Sequence, residues 1–292
     1  MKDDAAAEDV PAAMAPGRGR PDKDRFAFGE NWKSFLAELD EMRITEAEKS
    51  LQWLLARERL DELRFLDIGS GSGLSSLAAR RLGAVVHSFD FDVQSFECTR
   101  ALRDRFFPTD ANWVVERGSI LDRDYLGKPG RFDVVYSWGV LHHTGAMYEA
   151  IENASRLVSP GGTFVFALYR KTRLCWFWTL EKRWYCQSSA RAQSIARGVY
   201  VALMRLAFTL VGRDFNAYVS NYRGNRGMNY IHDVHDWLGG YPYESVRPAD
   251  VAEYLSRLDF VPLRSKVQPF STGLFGSGCD EYVYRSVADA GP

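Results

Sequence analysis

The sequence is poor in cysteine and has no excess of charge of either sign. Four cysteines occur in 292 residues and none forms a C-x-x-C pair, which favours buried thiols in a reducing compartment over a disulfide framework or a metal set. The 37 basic and 38 acidic side chains nearly balance, which argues against a nucleic-acid-binding protein. The first residues contain no apolar run, so no signal peptide is expected. We therefore expect a cytoplasmic protein.

Long apolar runs are also missing. The span 198–212 is mostly apolar, but it is short for a bilayer and carries Arg205 in its middle. We expect it to form a core helix or a dimer-interface helix rather than to contact a membrane. The chain is accordingly predicted to be a monomer or homodimer without stable membrane insertion.

Short apolar runs alternate with helix-like stretches from residue 64 onward. Such alternation predicts a parallel sheet covered by helices on both faces, which is a doubly wound α/β fold. Ligands of this fold bind at the carboxyl ends of the strands. The predicted strands are 64–68, 84–89, 112–117, 132–137 and 163–169, and the helices between them are 73–82, 92–105 and 145–158.

A glycine-rich turn follows the first predicted strand. Glycine at every second position lets the backbone adopt positive φ and lets a ligand approach the main chain. A dinucleotide fingerprint needs its third glycine three residues after the second, and Leu74 stands there instead. A carboxylate at the strand tip would repel a pyrophosphate and suits a positively charged ligand. The residues of this turn are Asp67, Gly69, Ser70, Gly71 and Gly73.

A second acid, Asp90, follows the second predicted strand. It lies 23 residues after Asp67, near the spacing at which an acid at the end of the second strand meets ribose hydroxyls. A carboxylate can accept two hydrogen bonds from a vicinal diol. Each acid has a structural alternative, since Asp67 could cap a helix and Asp90 could simply end a strand. Together with the glycine turn they favour a cofactor site.

The pattern resembles the class I S-adenosylmethionine-dependent methyltransferases. The resemblance continues in family order through residues 116–122, 132–143 and 154–162. It implies S-adenosylmethionine as cofactor and a Rossmann-like, seven-stranded, mostly parallel sheet, with an N-terminal helical lid and a helical insertion after strand five. The residues that it assigns to the cofactor are Asp67, Gly69, Ser70, Gly71, Gly73, Asp90, Phe91, Ser119, Ile120, Ser137, Trp138 and Trp32.

The flanks resemble a narrower bacterial group, mostly of unassigned substrate. The matching segments are 28–32, 236–242 and 276–281, and the chain departs from the group's commonest form at 169–172. We expect a disordered tail (1–24), a helical lid (25–62), a cofactor-binding core (63–170), a helical substrate cap (171–245) and a C-terminal helix with the last two strands (246–288). Trp32 could face the cofactor's positive centre or simply anchor the first helix.

The expected reaction is methyl transfer to an oxygen or nitrogen atom of a small molecule, by in-line displacement. A cyclase or lyase that consumes the same cofactor and releases methylthioadenosine is an alternative. A non-catalytic cofactor-binding protein is a second one.

Side chains that could act on the acceptor follow strands four and five. His142 and His143 are candidate general bases because histidine titrates near neutrality, and Tyr169 is a further candidate. The alternative is that the histidines only pack. Arginine favours carboxylate or phosphate, so an anionic acceptor is one hypothesis and a solvated basic face with core tyrosines the other. The proposed substrate-binding residues are Arg170, Tyr222, Arg223 and Tyr230.

A possible metal site is suggested by the histidines and acids His232, Asp233, His235 and Asp236. On a helix, His232 and Asp236 would share a face. The sequence offers no evident third or fourth ligand. No metal is therefore expected.

Overall fold

A seven-stranded sheet organises the part of the chain that the computed structural model describes, which is residue 26 and residues 39–226, 230–269 and 271–287. Its strand order is β3-β2-β1-β4-β5-β7-β6, and β7 runs antiparallel to both of its neighbours. The strands are β1 (Arg64–Ile68), β2 (Val85–Asp90), β3 (Trp113–Arg117), β4 (Phe132–Trp138), β5 (Val158–Tyr169), β6 (Phe260–Lys266) and β7 (Cys279–Ser286). The predicted tail and Trp32 lie outside the described residues.

Helices connect these strands and form a separate group between β5 and β6. The helices before β5 are α1 (Glu41–Leu55), α2 (Leu74–Arg81), α3 (Val93–Phe106), α4 (Arg123–Leu126) and α5 (Met147–Arg156), with a 3-10 turn at Leu141–His143. Those after it are α6 (Cys175–Gln187), α7 (Ala190–Leu210), α8 (Phe215–Arg226), α9 (Tyr230–Gly239) and α10 (Pro248–Arg257).

Neighbouring residues of the strands pack into apolar clusters on opposite faces of the sheet. Leu66 and Phe166 belong to one cluster, whereas the adjacent Phe65 and Val165 belong to the other. All four side chains are fully buried, as expected for strands covered on both faces. The predicted doubly wound α/β class is therefore confirmed. The division into domains stays a prediction.

From β1 the chain adds β2 and β3 on one side of the sheet, and then β4 and β5 on the other side, so the strand order reverses at β1. In such sheets a crevice forms outside the carboxyl ends of the strands at this point. The register pairs Ile68 of β1 with Phe89 of β2, and Asp90 of β2 with Arg117 of β3. The loops that follow these three strands therefore leave the sheet side by side.

Helices α6 to α9 form an aromatic cluster of their own, which we call the cap. Lys182 of α6 is fully buried within it, and its Nζ lies 3.5 Å from the ring centroid of Trp237. Burial lowers the pKa of Lys182 to about 7. In the sequence Lys182 stands in a Glu-Lys-Arg run, and nothing in this run indicates that the lysine is buried.

Helix α7 is not a core helix, which corrects one of the two expectations for residues 198–212. It has no fully buried residue. Its inner face, including Tyr200 and Met204, is half-buried against the other cap helices. Among the described residues, no helix combines the length and apolar content that a bilayer crossing requires.

Candidate active site

A cavity of about 1050 Å³ opens at the carboxyl ends of the first four strands and extends under the cap. Its sheet side includes Gly69, Gly71, Asp90, Phe91, Ser119, Ile120, Trp138, Gly139 and Val140, and its cap side includes Tyr200, Met204, Tyr218, Tyr222, Tyr230 and Trp237. The fold therefore brings most of the predicted cofactor residues together, and adds aromatic residues of the cap opposite them.

The glycine turn has the backbone conformation for which glycine is suited. Gly69, Gly71 and Gly73 have φ values of 71°, 56° and 80°. Gly73 precedes the first residue of α2, and Gly69 and Gly71 line the cavity. The Gly69 N–H donates to the carbonyl of Phe89 at 2.8 Å, which ties the turn to the tip of β2.

Of the two acids predicted to bind the cofactor, Asp90 lines the cavity. Its Oδ2 accepts the Gly71 N–H and its Oδ1 accepts the Asp92 N–H, both at 2.9 Å. Burial raises the pKa of Asp90 to about 6, although these two donors oppose the shift. Each carboxylate oxygen has a second lone pair that can accept a hydrogen bond from a ligand.

Asp67 lies beneath the turn and does not line the cavity. Its Oδ2 accepts the Ser76 hydroxyl at 2.5 Å, and Ser88 joins that hydroxyl to the indole N–H of Trp113. Burial raises the pKa of Asp67 to about 7. The structure thus places Asp67 where it fixes the turn to α2.

Some of the remaining predicted cofactor residues line the cavity, and others lie behind it and join elements of the fold. Phe91, Ser119, Ile120 and Trp138 line the cavity. Ser137 is fully buried and its hydroxyl donates to the carbonyl of Ile68, so it joins β4 to β1. Ser70 likewise lies behind the turn, with its Oγ 2.9 Å from Oγ1 of Thr99.

Of the two predicted bases, His143 reaches the cavity. Its Nδ1 lies 2.7 Å from the carbonyl oxygen of Pro242. Because a carbonyl only accepts, we assign the proton of the neutral ring to Nδ1, which makes Nε2 the basic nitrogen. The role of His143 as a general base stays a prediction.

His142 and Tyr169 are less suited to proton transfer. Burial, together with the nearby His143 and Lys182, lowers the pKa of His142 well below its ordinary value. His142 is fully buried behind the cavity wall. Tyr169 lines the cavity, but burial raises its pKa well above the usual range, which keeps the phenol protonated.

The segment 236–242 holds the His143 ring in place. A Cβ on Gly240 would lie 2.9 Å from Cε1 of His143, so glycine permits the close approach. The adjacent Gly239 allows the same for Phe26, whose ring would lie 2.1 Å from an added Cβ. The Phe26 N–H donates to the Tyr241 carbonyl at 3.0 Å. Close packing therefore explains why this segment has two consecutive glycines.

The predicted substrate residues are dispersed. Tyr222 and Tyr230 line the cap side, and the Tyr222 hydroxyl donates to the Asp233 carboxylate. Arg170 lies away from the cavity wall, where its Nε donates to the buried Asp280 at 2.8 Å. The side chain of Arg223 lies outside the described residues.

Several cavity residues have no recognisable signal in the sequence. Tyr200, Met204 and Tyr218 lie on α7 and α8, and Phe275 on the loop before β7. Aromatic residues at helical spacing are commonest in cores, so the pattern alone cannot assign them to a site. Within the described ranges no group of three histidine, cysteine, aspartate or glutamate side chains is placed to hold a metal ion.

A model of the methyltransferase domain family matches residues 39–221. Among curated proteins the chain is similar to ubiquinone biosynthesis O-methyltransferases. That of Xanthomonas campestris pv. campestris (strain B100) is 30% identical over 122 residues, which are 42% of this chain and 49% of the relative. That of Thiobacillus denitrificans is 28% identical over 118 residues, which are 40% and 49%. The chain spans about half the length of the curated relatives it matches.

Solved structures share the fold at low sequence identity. The magnesium protoporphyrin IX methyltransferase of Synechocystis PCC 6803, with bound SAH, aligns with a TM-score of 0.52 and 12% identity, covering 88% of this chain and 93% of that one. PKMT2 of Rickettsia typhi, in complex with AdoHcy, aligns with a TM-score of 0.53 and 14% identity, covering 80% and 50%.

We expect Gly69→Ala to destabilise the protein by about 2 kcal/mol or more, since it combines an unfavourable positive φ with overpacking. An added Cβ would lie 2.5 Å from both γ carbons of Val140. Gly139→Ala is the matched control, because its φ is also positive and nothing lies within 4 Å of the added atom. Urea unfolding should show the larger loss for Gly69→Ala and partial recovery in Gly69→Ala/Val140→Ala. Equal losses for both single variants would contradict the packing argument.

Proposed function

This chain belongs to the methyltransferase domain family, and we propose that it transfers the methyl group of S-adenosylmethionine to an oxygen or nitrogen atom of a small molecule. The observation that carries the proposal is the shared cavity. Asp90 and the glycine turn lie on its sheet side, and His143 lies where the sheet side meets the cap. One space thus holds a cofactor wall, a base and an aromatic-lined region for an acceptor.

The residues present fit the cofactor. Its sulfonium supplies an electrophilic methyl group, and the protein supplies binding and orientation. Asp90 would accept the ribose hydroxyls, and Ser119 and Ile120 would flank the adenine. Gly139 leaves space beside the cavity, since nothing lies within 4 Å of a Cβ added there.

His143 supplies the proton chemistry in this proposal. A phenol, alcohol or ammonium must lose its proton to become a nucleophile, and Nε2 of His143 is the nitrogen able to take it. The carbonyl of Pro242 holds the opposite ring nitrogen, so the ring keeps one tautomer. The reaction itself needs the acceptor atom held close to the methyl carbon, in line with the bond that breaks.

The cap would hold the acceptor. Tyr222 and Tyr230 offer aromatic faces and hydroxyl groups to a small molecule. Arg170, which pairs with Asp280, lends no support to an anionic acceptor. Cytoplasmic location, expected from the scattered cysteines, stays a prediction.

Cofactor affinity should depend on the ionisation of Asp90. Hydroxyl donors stabilise the carboxylate, and the unliganded group has a pKa raised by burial to about 6. Binding of S-adenosylhomocysteine should therefore weaken as the pH falls from about 8 to about 5. Asp90→Asn should bind at least about 1 kcal/mol more weakly at high pH and lose much of this dependence. Calorimetry tests both effects, and an unchanged affinity in Asp90→Asn would refute the assignment.

Product analysis tests the reaction. Wild-type protein incubated with S-adenosylmethionine and a panel of phenols and amines should release S-adenosylhomocysteine and a methylated acceptor. His143→Ala should slow the reaction by about 100-fold or more for an acceptor that must lose a proton. Tyr169→Phe should cost less than about tenfold, because the buried phenol is a poor base at neutral pH.

Other products would contradict the proposal in distinguishable ways. Methylthioadenosine formed without an acceptor would identify a cyclase or lyase. Tight binding of the cofactor with neither product would indicate a non-catalytic protein.

A further inference from the structure

Helix α7 presents an apolar face to solvent. Five large side chains follow its length at helical spacing and expose 51–78% of their surface: Ile195, Val199, Leu203, Leu206 and Leu210. The preceding helix α6 exposes Trp176, Leu180 and Trp184, which are spaced four residues apart. Exposed apolar side chains in such numbers are typical of an interaction site.

Basic residues outnumber acids in the segment that carries this apolar face. Between residues 171 and 213 the sequence has eight basic residues and one acid, Glu181, whereas the whole chain has a net charge of −1. Glu181 is partly buried and burial raises its pKa to about 7. The exposed basic side chains of this segment are Lys171, Arg173, Arg183, Arg191, Arg205 and Arg213.

We propose that α6 and α7 form a membrane-contact face that lies on an anionic lipid surface. A helix that buries leucine and isoleucine in the interfacial region, with arginine beside the lipid headgroups, has this composition. Tryptophan is enriched at the same depth because its ring is apolar and its N–H is polar. A second copy of the chain fits less well, since two-fold pairing brings the same cations together.

The membrane-contact face and the candidate active site share one helix. Tyr200 and Met204 of α7 line the cavity, while Val199 and Leu203 point to solvent. Contact of the outer face with a bilayer would therefore place the cap end of the cavity about one helix diameter, roughly 10 Å, from the lipid. Contact of this face with a membrane does not depend on the reaction that the protein catalyses.

Vesicle co-sedimentation of the full chain tests this proposal. The protein should sediment with vesicles that contain phosphatidylglycerol, much less with phosphatidylcholine alone, and less at high salt. Leu203→Glu/Leu206→Glu should lower the vesicle partition coefficient by more than about tenfold, because two leucines leave the interface and two negative charges face an anionic surface.

Met42→Glu/Val261→Glu is the matched control. It makes the same change of charge at two apolar positions that lie outside the face and are 65% and 42% exposed. This control should sediment like the wild type. Both double variants should keep wild-type circular dichroism and affinity for S-adenosylhomocysteine, which shows that they fold.

Two results would overturn the proposal. In the first, the protein does not bind vesicles but forms a dimer, and Leu203→Glu/Leu206→Glu dissociates that dimer. A second copy of the chain would then cover the face. Equal vesicle binding by both double variants would show that another surface contacts the lipid.

Discussion

Backbone donors of the glycine turn meet acceptors at the tip of β2, and the site depends on that junction. Gly69 donates to the Phe89 carbonyl, and Gly71 donates to the Asp90 carboxylate. These bonds form because the parallel register holds the two strand tips level. Asp90 is thereby fixed with its carboxylate at the cavity wall. Beneath the turn, Asp67 and Ser76 join it to α2.

A second constraint comes from the opposite side, where the segment 236–242 meets the turn that follows β4. Pro242 orients His143, and Gly240 lets the imidazole approach. The same segment includes the last turn of α9, a helix of the cap. His143 and the cap side of the cavity are therefore positioned together, while Asp90 and the glycine turn are positioned by the sheet. The cavity therefore lies between two parts of the fold, the sheet and the cap, whose lining residues are positioned by separate contacts.

The sheet could be predicted because its strands are short apolar runs buried on both faces, as at Phe65 and Leu66. The position of Asp90 beside the cavity could be predicted because its place at a strand end is set locally. Asp67 has the same local pattern, yet its side chain turns toward α2, which spacing cannot reveal. The positions of the Arg170 and Lys182 side chains could not be predicted from the sequence for another reason. Their surroundings are set by long-range contacts, with Asp280 for the first and Trp237 for the second. Helix α7 has the composition of a core helix and lies at the surface.

The most direct test of the account is a crystal structure of the protein with S-adenosylhomocysteine. The account predicts the ribose hydroxyls within hydrogen-bonding distance of the Asp90 carboxylate, the adenine beside Ser119 and Ile120, and the sulfur atom toward His143. A ligand bound elsewhere, or bound with its ribose away from Asp90, would contradict it.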